Sequence, residues 1–235
     1  MKNKDLKRRI IEISYKHKLS HLGSCLTAVD IIDEIYRTKN PDDKFVLSSG
    51  HAGLALYVVL EKYESNAEHT IDAKDLYIKH GVHPNRDLQN GIWVSSGSLG
   101  NGLPIALGMA LADRNKNVYC LISDGECAEG SIWEAMRIKE EKQIGNLKVY
   151  LNWNGWGAYR ETAVPFLTGD VKYKNENEDK DKKILYENTR ISYPYNFDAI
   201  IVNELCDYPL FLKGQGAHYT VMNETMYNEA MEVLK

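Results

Sequence analysis

The sequence predicts a single α/β domain with a parallel central sheet and helices on both faces. The apolar runs "VYCLIS" and "LKVYLNW" are typical of strands, and "GSIWEAMRIKEEKQ" between them is typical of a helix. A β-α-β unit of this kind is right-handed, and its two strands run parallel. The chain has 235 residues, of which 43% are apolar, so we expect one core that spans residues 1–235.

The first part of the chain alternates helices and strands in the same way. Residues 4–18 have helical periodicity, and we expect the glycine in "SHLGSC" to separate this helix from the next one, "LTAVDIIDEIYRT". A strand in "DDKFVLSSGH" then leads into the helix "AGLALYVVLEKYES". Residues 64–96 are mostly polar, and they predict no regular element.

The second part opens with a glycine-rich turn in "SGSLGNGLPIALGMALADR", which enters a helix of small residues. After residue 157 the pattern weakens. Residues 170–183 are dominated by charge, which predicts an exposed loop with the composition of a disordered segment. Of the remaining stretches, "FDAIIVNEL" and "YPLFL" predict a helix edge and a strand, and "NETMYNEAMEVLK" predicts a closing helix.

Composition argues against several classes of protein. The net charge is −4 and the basic residues form no cluster, which argues against a nucleic-acid surface. No apolar run reaches membrane-spanning length, and the amphipathic N-terminus does not resemble a signal peptide. The four cysteines have no CxxC spacing and are expected to be free thiols. A cytoplasmic location follows as an expectation.

Two polar residues follow the two strands of the β-α-β unit. Asp124 comes directly after the first strand and Asn154 directly after the second. In open parallel sheets, ligands bind at this carboxyl edge. A carboxylate, an amide oxygen and a backbone carbonyl such as that of Trp156 could hold Mg²⁺ or Ca²⁺. Gly125 would let its backbone N–H approach a diphosphate, although an Asp-Gly pair alone is more often only a turn.

The stretch "SDGECAEGSIWEAMRIKEEKQIGNLKVYLNWNG" resembles the thiamine diphosphate motif in its transketolase version. That motif begins with GDG, here with Ser123 in place of the first glycine, and ends in an asparagine. Three further segments are similar to the transketolase family in the same order. They are "SHLGSCLTAVDIIDEIY", with Leu22 where proline is usual, "DKFVLSSGHAGLALYVVL" and "GVHPNRDLQNGIWVSSGSLGNGLPIALGMALA". The resemblance covers residues 1 to about 157, while 158–205 cannot be aligned. The stretch "YPLFLKGQGAHYTVMNETMYNEAMEVL" is similar to a shortened form of the family's closing segment.

The resemblance implies a thiamine diphosphate-binding fold with a Mg²⁺ (or Ca²⁺) ion held by Asp124, Asn154 and Trp156. It places His21, His51 and His83 in the substrate channel as catalytic residues that move protons and bind sugar hydroxyls. The carboxylate of Glu126 beside a diphosphate is unexplained, because only its backbone N–H is expected to matter. The cofactor contacts that the resemblance implies are His51, Gly97, Leu99, Gly125, Glu126, Glu129, Asn154 and His218.

The resemblance also indicates what this chain would need from elsewhere. In the family, a glutamate on a following pyrimidine-binding domain acts on the cofactor, and the chain ends before that domain. We therefore expect a split enzyme, an α2β2 assembly whose second subunit carries the pyrimidine-binding domain and the catalytic Glu. The implied reaction is transfer of a two-carbon ketol unit from a ketose or its phosphate to an aldose or its phosphate.

Two alternatives stay open at this point. The chain could be a subunit of another thiamine diphosphate enzyme, similar to 1-deoxyxylulose-phosphate synthase or to a 2-oxo acid dehydrogenase. It could also be a degenerate, cofactor-free scaffold subunit, which Ser123, Leu22 and Glu126 would favour. The intact Asp124 and Asn154 argue against the second alternative.

Overall fold

A computed structural model describes residues 3–157, 160–162, 184–187, 197–202 and 216–235. These residues form a five-stranded sheet with the order β1-β2-β3-β5-β4. The strands are β1 (Lys44–Leu47), β2 (Val118–Ser123), β3 (Leu147–Trp153), β4 (Ile184–Glu187) and β5 (Ala199–Val202). Strands β1, β2, β3 and β5 are parallel, and β4 pairs with β5 antiparallel at the edge.

Helices cover both faces of the sheet, as the sequence predicts. They are α1 (Lys4–His17), α2 (Leu22–Thr38), α3 (Gly53–Tyr63), α4 (Ala73–His80), α5 (Gly102–Ala112), α6 (Gly130–Glu141), α7 (Gly216–Tyr219) and α8 (Glu224–Val233). Strand β2 alternates between the two cores. Leu121 packs with the α1, α2 and α3 side, whereas Cys120 and Ile122 pack with the α5 and α6 side. The predicted α/β class with a parallel sheet is confirmed.

Helix α4 was not predicted, because it lies in the polar stretch 64–96. Its N-terminus is fixed by Asp72, whose carboxylate accepts hydrogen bonds from the backbone N–H groups of Lys74 and Asp75. Leu76, buried at 4% exposure, anchors the helix to the core. The capping Asp72 was therefore the available sequence signal for this helix. The low apolar content of residues 64–96 gave no clear helical periodicity.

Two other expectations need correction. The predicted helix edge in "FDAIIVNEL" is wrong, since Ala199–Val202 is a strand that pairs with β3, as a β-branched run favours. The glycine in "SHLGSC" does not break a helix, because α2 begins at Leu22 and contains Gly23. A Cβ at Gly23 would lie 2.6 Å from the Cβ of Ala217, so glycine is needed there for the close approach of α7. The segments 170–183 and "YPLFL" lie outside the described residues.

The described cysteines, Cys25, Cys120 and Cys127, are buried free thiols, as expected, and Cys206 lies outside the described residues. No helix within the described ranges has both the length and the apolar character to cross a membrane.

Candidate active site

The ends of β2 and β3 meet at one edge of the sheet. The two strands are parallel, with Ser123 paired opposite Asn152, so Asp124 and Asn154 emerge side by side. The backbone N–H of Gly155 donates to Oδ2 of Asp124 over 2.8 Å. The β-α-β unit thus brings together the two residues that the sequence analysis singled out.

Asp124 is almost completely buried, at 2% exposure. Its Oδ2 also accepts a 2.6 Å hydrogen bond from the hydroxyl of Thr162, and its Oδ1 accepts from the N–H of Gly125 over 3.1 Å. Burial raises the pKa of Asp124 to about 6, and these hydrogen bonds only partly oppose that rise. Such a carboxylate would gain strongly from a nearby cation, which fits a metal ligand.

The amide of Asn154 and the carbonyl of Trp156 complete the oxygen donors at this edge. Oδ1 of Asn154 accepts from the N–H of Trp156 over 3.0 Å. The carbonyl of Trp156 lies 3.2 Å from Nε2 of His218. Because a carbonyl only accepts, this contact assigns the proton of the ring to Nε2 and leaves Nδ1 to face the Ser24 hydroxyl.

The predicted histidines form one cluster above this edge. The ring of His21 lies 5.8 Å from that of His51 and 6.2 Å from that of His218. His83 packs against the backbone at Gly97, where an added Cβ would approach its ring to 3.1 Å. The structure thus gathers the three histidines proposed as catalytic, together with His218.

Three of these histidines, His51, His21 and His218, are held in their neutral form. Burial, assisted by the neighbouring histidines, lowers the pKa of His51 to about 3. Burial and the charges of His218 and His83 also lower the pKa of His21, and burial lowers that of His218. A neutral imidazole has one nitrogen that donates and one that accepts a hydrogen bond, which suits a site that binds hydroxyl groups.

His21 carries backbone strain that the rest of the site maintains. Its φ of 62° lies in the left-handed region, which is uncommon for a residue other than glycine. The backbone N–H of His21 donates to the carbonyl of His218 over 2.9 Å. Its Nδ1 is buried and has no hydrogen-bond partner among the described residues. A buried imidazole nitrogen without a partner indicates a place for a ligand atom.

The turn at residues 97–100, which the resemblance places against the cofactor, leads into α5. Its glycines are required sterically. Gly100 has a φ of 79°, and a Cβ there would lie 2.5 Å from Oγ of Ser131 and 2.7 Å from Cβ of Glu129. Leu99 remains 38% exposed at the tip of the turn. Glu129 is also exposed, at the start of α6.

The carboxylate of Glu126 is held inside the protein by its own hydrogen bonds. It is completely buried, and its oxygens accept hydrogen bonds from Ser48, Gly100 and Ser123. The backbone N–H of Glu126 donates to the Ser123 hydroxyl in a capping box, so Ser123 fills a structural role at the position where the motif usually has glycine. These hydrogen bonds explain why the carboxylate of Glu126 can be buried. Its backbone N–H caps the turn that follows β2.

Sequence reasoning missed Thr162, which binds Asp124 from the segment that could not be aligned. Trp156 and Glu161 form an antiparallel bridge, and the N–H of Thr162 donates to the carbonyl of Gly155 over 2.9 Å. A lone threonine in an unaligned loop gives no signal in a single sequence. It could not have been found without the structure.

Sequence reasoning also missed Asp87, which shapes the loop that carries His83. Its Oδ2 accepts hydrogen bonds from Lys79, His80 and Asn90. Although burial favours the protonated form, these hydrogen bonds lower the pKa of Asp87 to about 2. The carboxylate therefore stabilises the folded chain fully above its ordinary pKa of about 4, and the stabilisation is lost as the pH falls toward 2.

We expect Asp87→Asn to lower the free energy of unfolding by about 1 kcal/mol at pH 7, because the screened charge contacts are lost. The difference in the free energy of unfolding between the variant and the wild type should narrow between pH 4 and pH 2, where the wild-type carboxylate takes up its proton. Urea unfolding across this pH range measures the effect. Asp42→Asn removes an exposed carboxylate near Lys116 and serves as the control. A difference that stays constant with pH would contradict the prediction.

The sequence is similar to that of known proteins over more than half of its length. The domain described as "Transketolase, thiamine diphosphate binding domain" matches residues 11–178, which is more than half of the chain. The chain belongs to the transketolase family. One of the subunits of the apulose-4-phosphate transketolase of Phocaeicola vulgatus is 33% identical over 166 residues, covering 63% of this chain and 58% of that protein. Human transketolase is 35% identical over 153 residues, covering 58% of this chain and 24% of that protein.

Solved transketolase structures share the fold. A transketolase from Pichia stipitis in complex with sedoheptulose 7-phosphate superposes with a TM-score of 0.53 at 27% identity, covering 70% of this chain and 28% of that chain. The transketolase from Leishmania mexicana gives a TM-score of 0.54 at 22% identity over 71% of this chain and 28% of that one. The chain therefore spans a little over a quarter of these full-length transketolases.

The residues present fit a metal-bound diphosphate. Among the described residues, no group of three or more His, Cys, Asp or Glu side chains could hold a metal ion. The strand edge instead offers one carboxylate, one amide oxygen and one carbonyl, and a hard cation could complete its shell with phosphate oxygens and water. The unpartnered Nδ1 of His21 supplies an independent sign of a ligand at the same site.

Proposed function

We propose that this transketolase-family chain is the diphosphate-binding subunit of a thiamine diphosphate-dependent enzyme that transfers a two-carbon ketol unit. The observation that carries the proposal is the buried Asp124 at the joint end of β2 and β3, beside Asn154 and below the histidine cluster. The substrates would be a ketose and an aldose, or their phosphates. Buried free thiols are in keeping with a reducing compartment such as the cytoplasm.

In this proposal, Asp124, Asn154 and the Trp156 carbonyl hold Mg²⁺ (or Ca²⁺), and the N–H of Gly125 turns to the diphosphate. When bound, the cofactor supplies the carbon nucleophile and the electron sink for the reaction. His21, His51 and His83 bind the sugar hydroxyls and move protons at those oxygens. Because His51 is neutral, it would contribute a hydrogen bond to the diphosphate rather than a positive charge.

Gly97, Leu99 and Glu129 would face the other half of the cofactor and the partner, and His218 would steady the metal edge through the Trp156 carbonyl. The partner in this proposal is a second subunit that carries the pyrimidine-binding domain and the catalytic Glu, in an α2β2 assembly. The similarity to a protein whose name makes it one subunit of a transketolase supports a split organisation.

An exposed apolar face on α5 supports a partner as well. No residue of Gly102–Ala112 carries a charged or hydrogen-bonding side chain. Leu103, Ala106 and Leu107 pack on the sheet, while Ile105 and Leu111 remain 43% and 41% exposed. Apolar faces of this kind mark interaction surfaces. The α5 helix starts directly after the turn at residues 97–100, so a subunit that covers it would also reach the cofactor site.

We expect the double variant Ile105→Asp and Leu111→Asp to lose the second subunit on purification while keeping its melting temperature within a few degrees. Two carboxylates cannot be buried in an apolar contact without a large desolvation cost, whereas on the free chain they face water. Size-exclusion chromatography with mass spectrometry measures the loss. Val233→Asp changes a similarly exposed residue on α8 and is the control. If the double variant retains the second subunit, α5 is not part of the interface.

The decisive experiment is native purification of the chain, followed by identification of accompanying chains and measurement of bound thiamine diphosphate. The complex is then assayed for ketol transfer between sugar phosphates and for decarboxylation of 2-oxo acids. A second chain, bound cofactor and ketol transfer are expected. Decarboxylation alone would favour the 2-oxo acid dehydrogenase-like alternative. A stable complex without cofactor affinity would favour a scaffold subunit.

A further inference from the structure

Glu126 is a buried carboxylate without a cation. It is completely buried, and no salt bridge reaches it within the described residues. Burying an ionised group is costly unless hydrogen bonds compensate. Natural proteins rarely keep such a group without a reason, and neither the metal edge nor the histidine cluster uses this side chain.

The hydrogen bonds of Glu126 join three segments that are distant in sequence. Oε1 accepts from the Ser48 hydroxyl at the end of β1 over 2.6 Å and from the N–H of Gly100 over 3.0 Å. Oε2 accepts from the N–H and the hydroxyl of Ser123 at the end of β2, over 3.0 and 3.5 Å. A carboxylate has only acceptors and matches these four donors, whereas an amide would place donors against donors.

The turn at residues 97–100 also packs on Gly50, where an added Cβ would lie 2.6 Å from the backbone N of Gly97. The Ser131 hydroxyl donates to the carbonyl of Gly100 over 2.9 Å. Gly102 packs so closely on β1 that an added Cβ would lie 2.5 Å from Cα of Ser48. The bond from Gly100 to Glu126 joins this turn to the strand end that carries Asp124.

We propose that Glu126 is a positioning residue that fixes the turn at residues 97–100 relative to the Asp124 edge. It would thereby set the distance between the two halves of the cofactor site, and this inference rests on the proposed function. The metal edge has its own support, since Asp124 and Asn154 are held by backbone N–H groups independently of Glu126. Loss of Glu126 should therefore misplace the turn more than the diphosphate edge.

The test compares two probes on the full chain, together with any subunit that copurifies. Inorganic pyrophosphate with Mg²⁺ samples only the diphosphate edge, and thiamine diphosphate with Mg²⁺ samples both halves of the site. Calorimetry gives the ratio of their dissociation constants. In Glu126→Gln we expect the Kd of thiamine diphosphate to rise about tenfold or more, as for other residues that orient ligand-binding groups, and that of pyrophosphate by less than about threefold.

The control is Asp43→Asn at the opposite end of the sheet. Asp43 is also buried, and it accepts hydrogen bonds from the backbone N–H groups of Asn40 and Asn117. We expect this variant to lower the melting temperature without changing the ratio of the two dissociation constants. Ser48→Ala, which removes one donor to Glu126, should give a smaller change of ratio in the same direction as Glu126→Gln.

The outcomes separate the two levels of the proposal. If the wild type binds neither probe, the proposed cofactor site fails, and the role of Glu126 fails with it. If the wild type binds both probes and Glu126→Gln weakens them equally, or only lowers the melting temperature, then Glu126 is structural and the cofactor site stands. If the wild type binds thiamine diphosphate no better than pyrophosphate, the turn contributes nothing and the positioning role is overturned.

Discussion

Replacing Asp124 by asparagine should reduce Mg²⁺-dependent binding of thiamine diphosphate by at least about 100-fold. The carboxylate supplies the only negative charge that the chain is proposed to offer the metal, and an amide replaces it with a weak neutral ligand. Asparagine keeps the size of the side chain and can still accept from Gly155 and Thr162. Calorimetry with Mg²⁺ and the cofactor measures the loss.

The fold should survive this change. Because burial raises the pKa of Asp124 to about 6, its ionisation costs the folded chain on the order of 2–3 kcal/mol above that pH. Asparagine removes this cost while losing the acceptor for Gly125. We therefore expect a free energy of unfolding at pH 7 no more than about 1 kcal/mol below that of the wild type. A large loss of stability would mean that Asp124 is structural.

The same raised pKa predicts how binding depends on pH. Protons compete with the metal for the carboxylate, so wild-type affinity should fall about tenfold per unit as the pH drops below 6. A site with an aspartate of ordinary pKa would keep its affinity for the metal and the cofactor down to about pH 4. Affinity that is unchanged between pH 7 and pH 5 would exclude Asp124 as the metal ligand.

Much of this site could be predicted from one sequence because its residues follow directly after strands. Parallel strands end at one edge, so the order of elements alone places Asp124 beside Asn154. The motif resemblance then predicted the histidines, which the structure gathers from the N-terminus of α2, the end of β1, the loop after α4 and α7. Placement by topology needs no knowledge of individual contacts.

The contacts that could not be predicted depend on where side chains point. The Glu126 side chain was expected near a diphosphate, yet it turns inward because Ser48, Gly100 and Ser123 offer it donors. Asp87 and Thr162 act through loops whose paths a single sequence does not define. Sequence patterns also missed helix α4 and strand β5. The formation of α4 depends on its capping residue, and that of β5 on pairing with β3, more than on hydrophobic periodicity.

The second large effect is expected at His51. Its ring lies 5.8 Å from that of His21, and burial lowers its pKa to about 3, which keeps the ring neutral near pH 7. A neutral imidazole can donate its ring N–H to a sugar oxygen on which charge develops, a contribution of about 10²–10³ in rate. We expect His51→Ala to lower the kcat of ketol transfer by about that factor, while the cofactor remains bound through the Asp124 edge.

A role for His51 as a positive charge and a role as a neutral hydrogen-bond donor predict different results. His51→Lys would restore activity if a positive charge were needed, and it should fail here because burial keeps His51 neutral. His69, which is half-buried and contacts Asn90 away from the cluster, provides the matched control His69→Ala, with activity near that of the wild type. Comparing kcat with the Kd of the cofactor separates the two roles. If His51→Ala loses cofactor affinity and keeps the kcat of the loaded enzyme, His51 acts in cofactor binding and not in the transfer step.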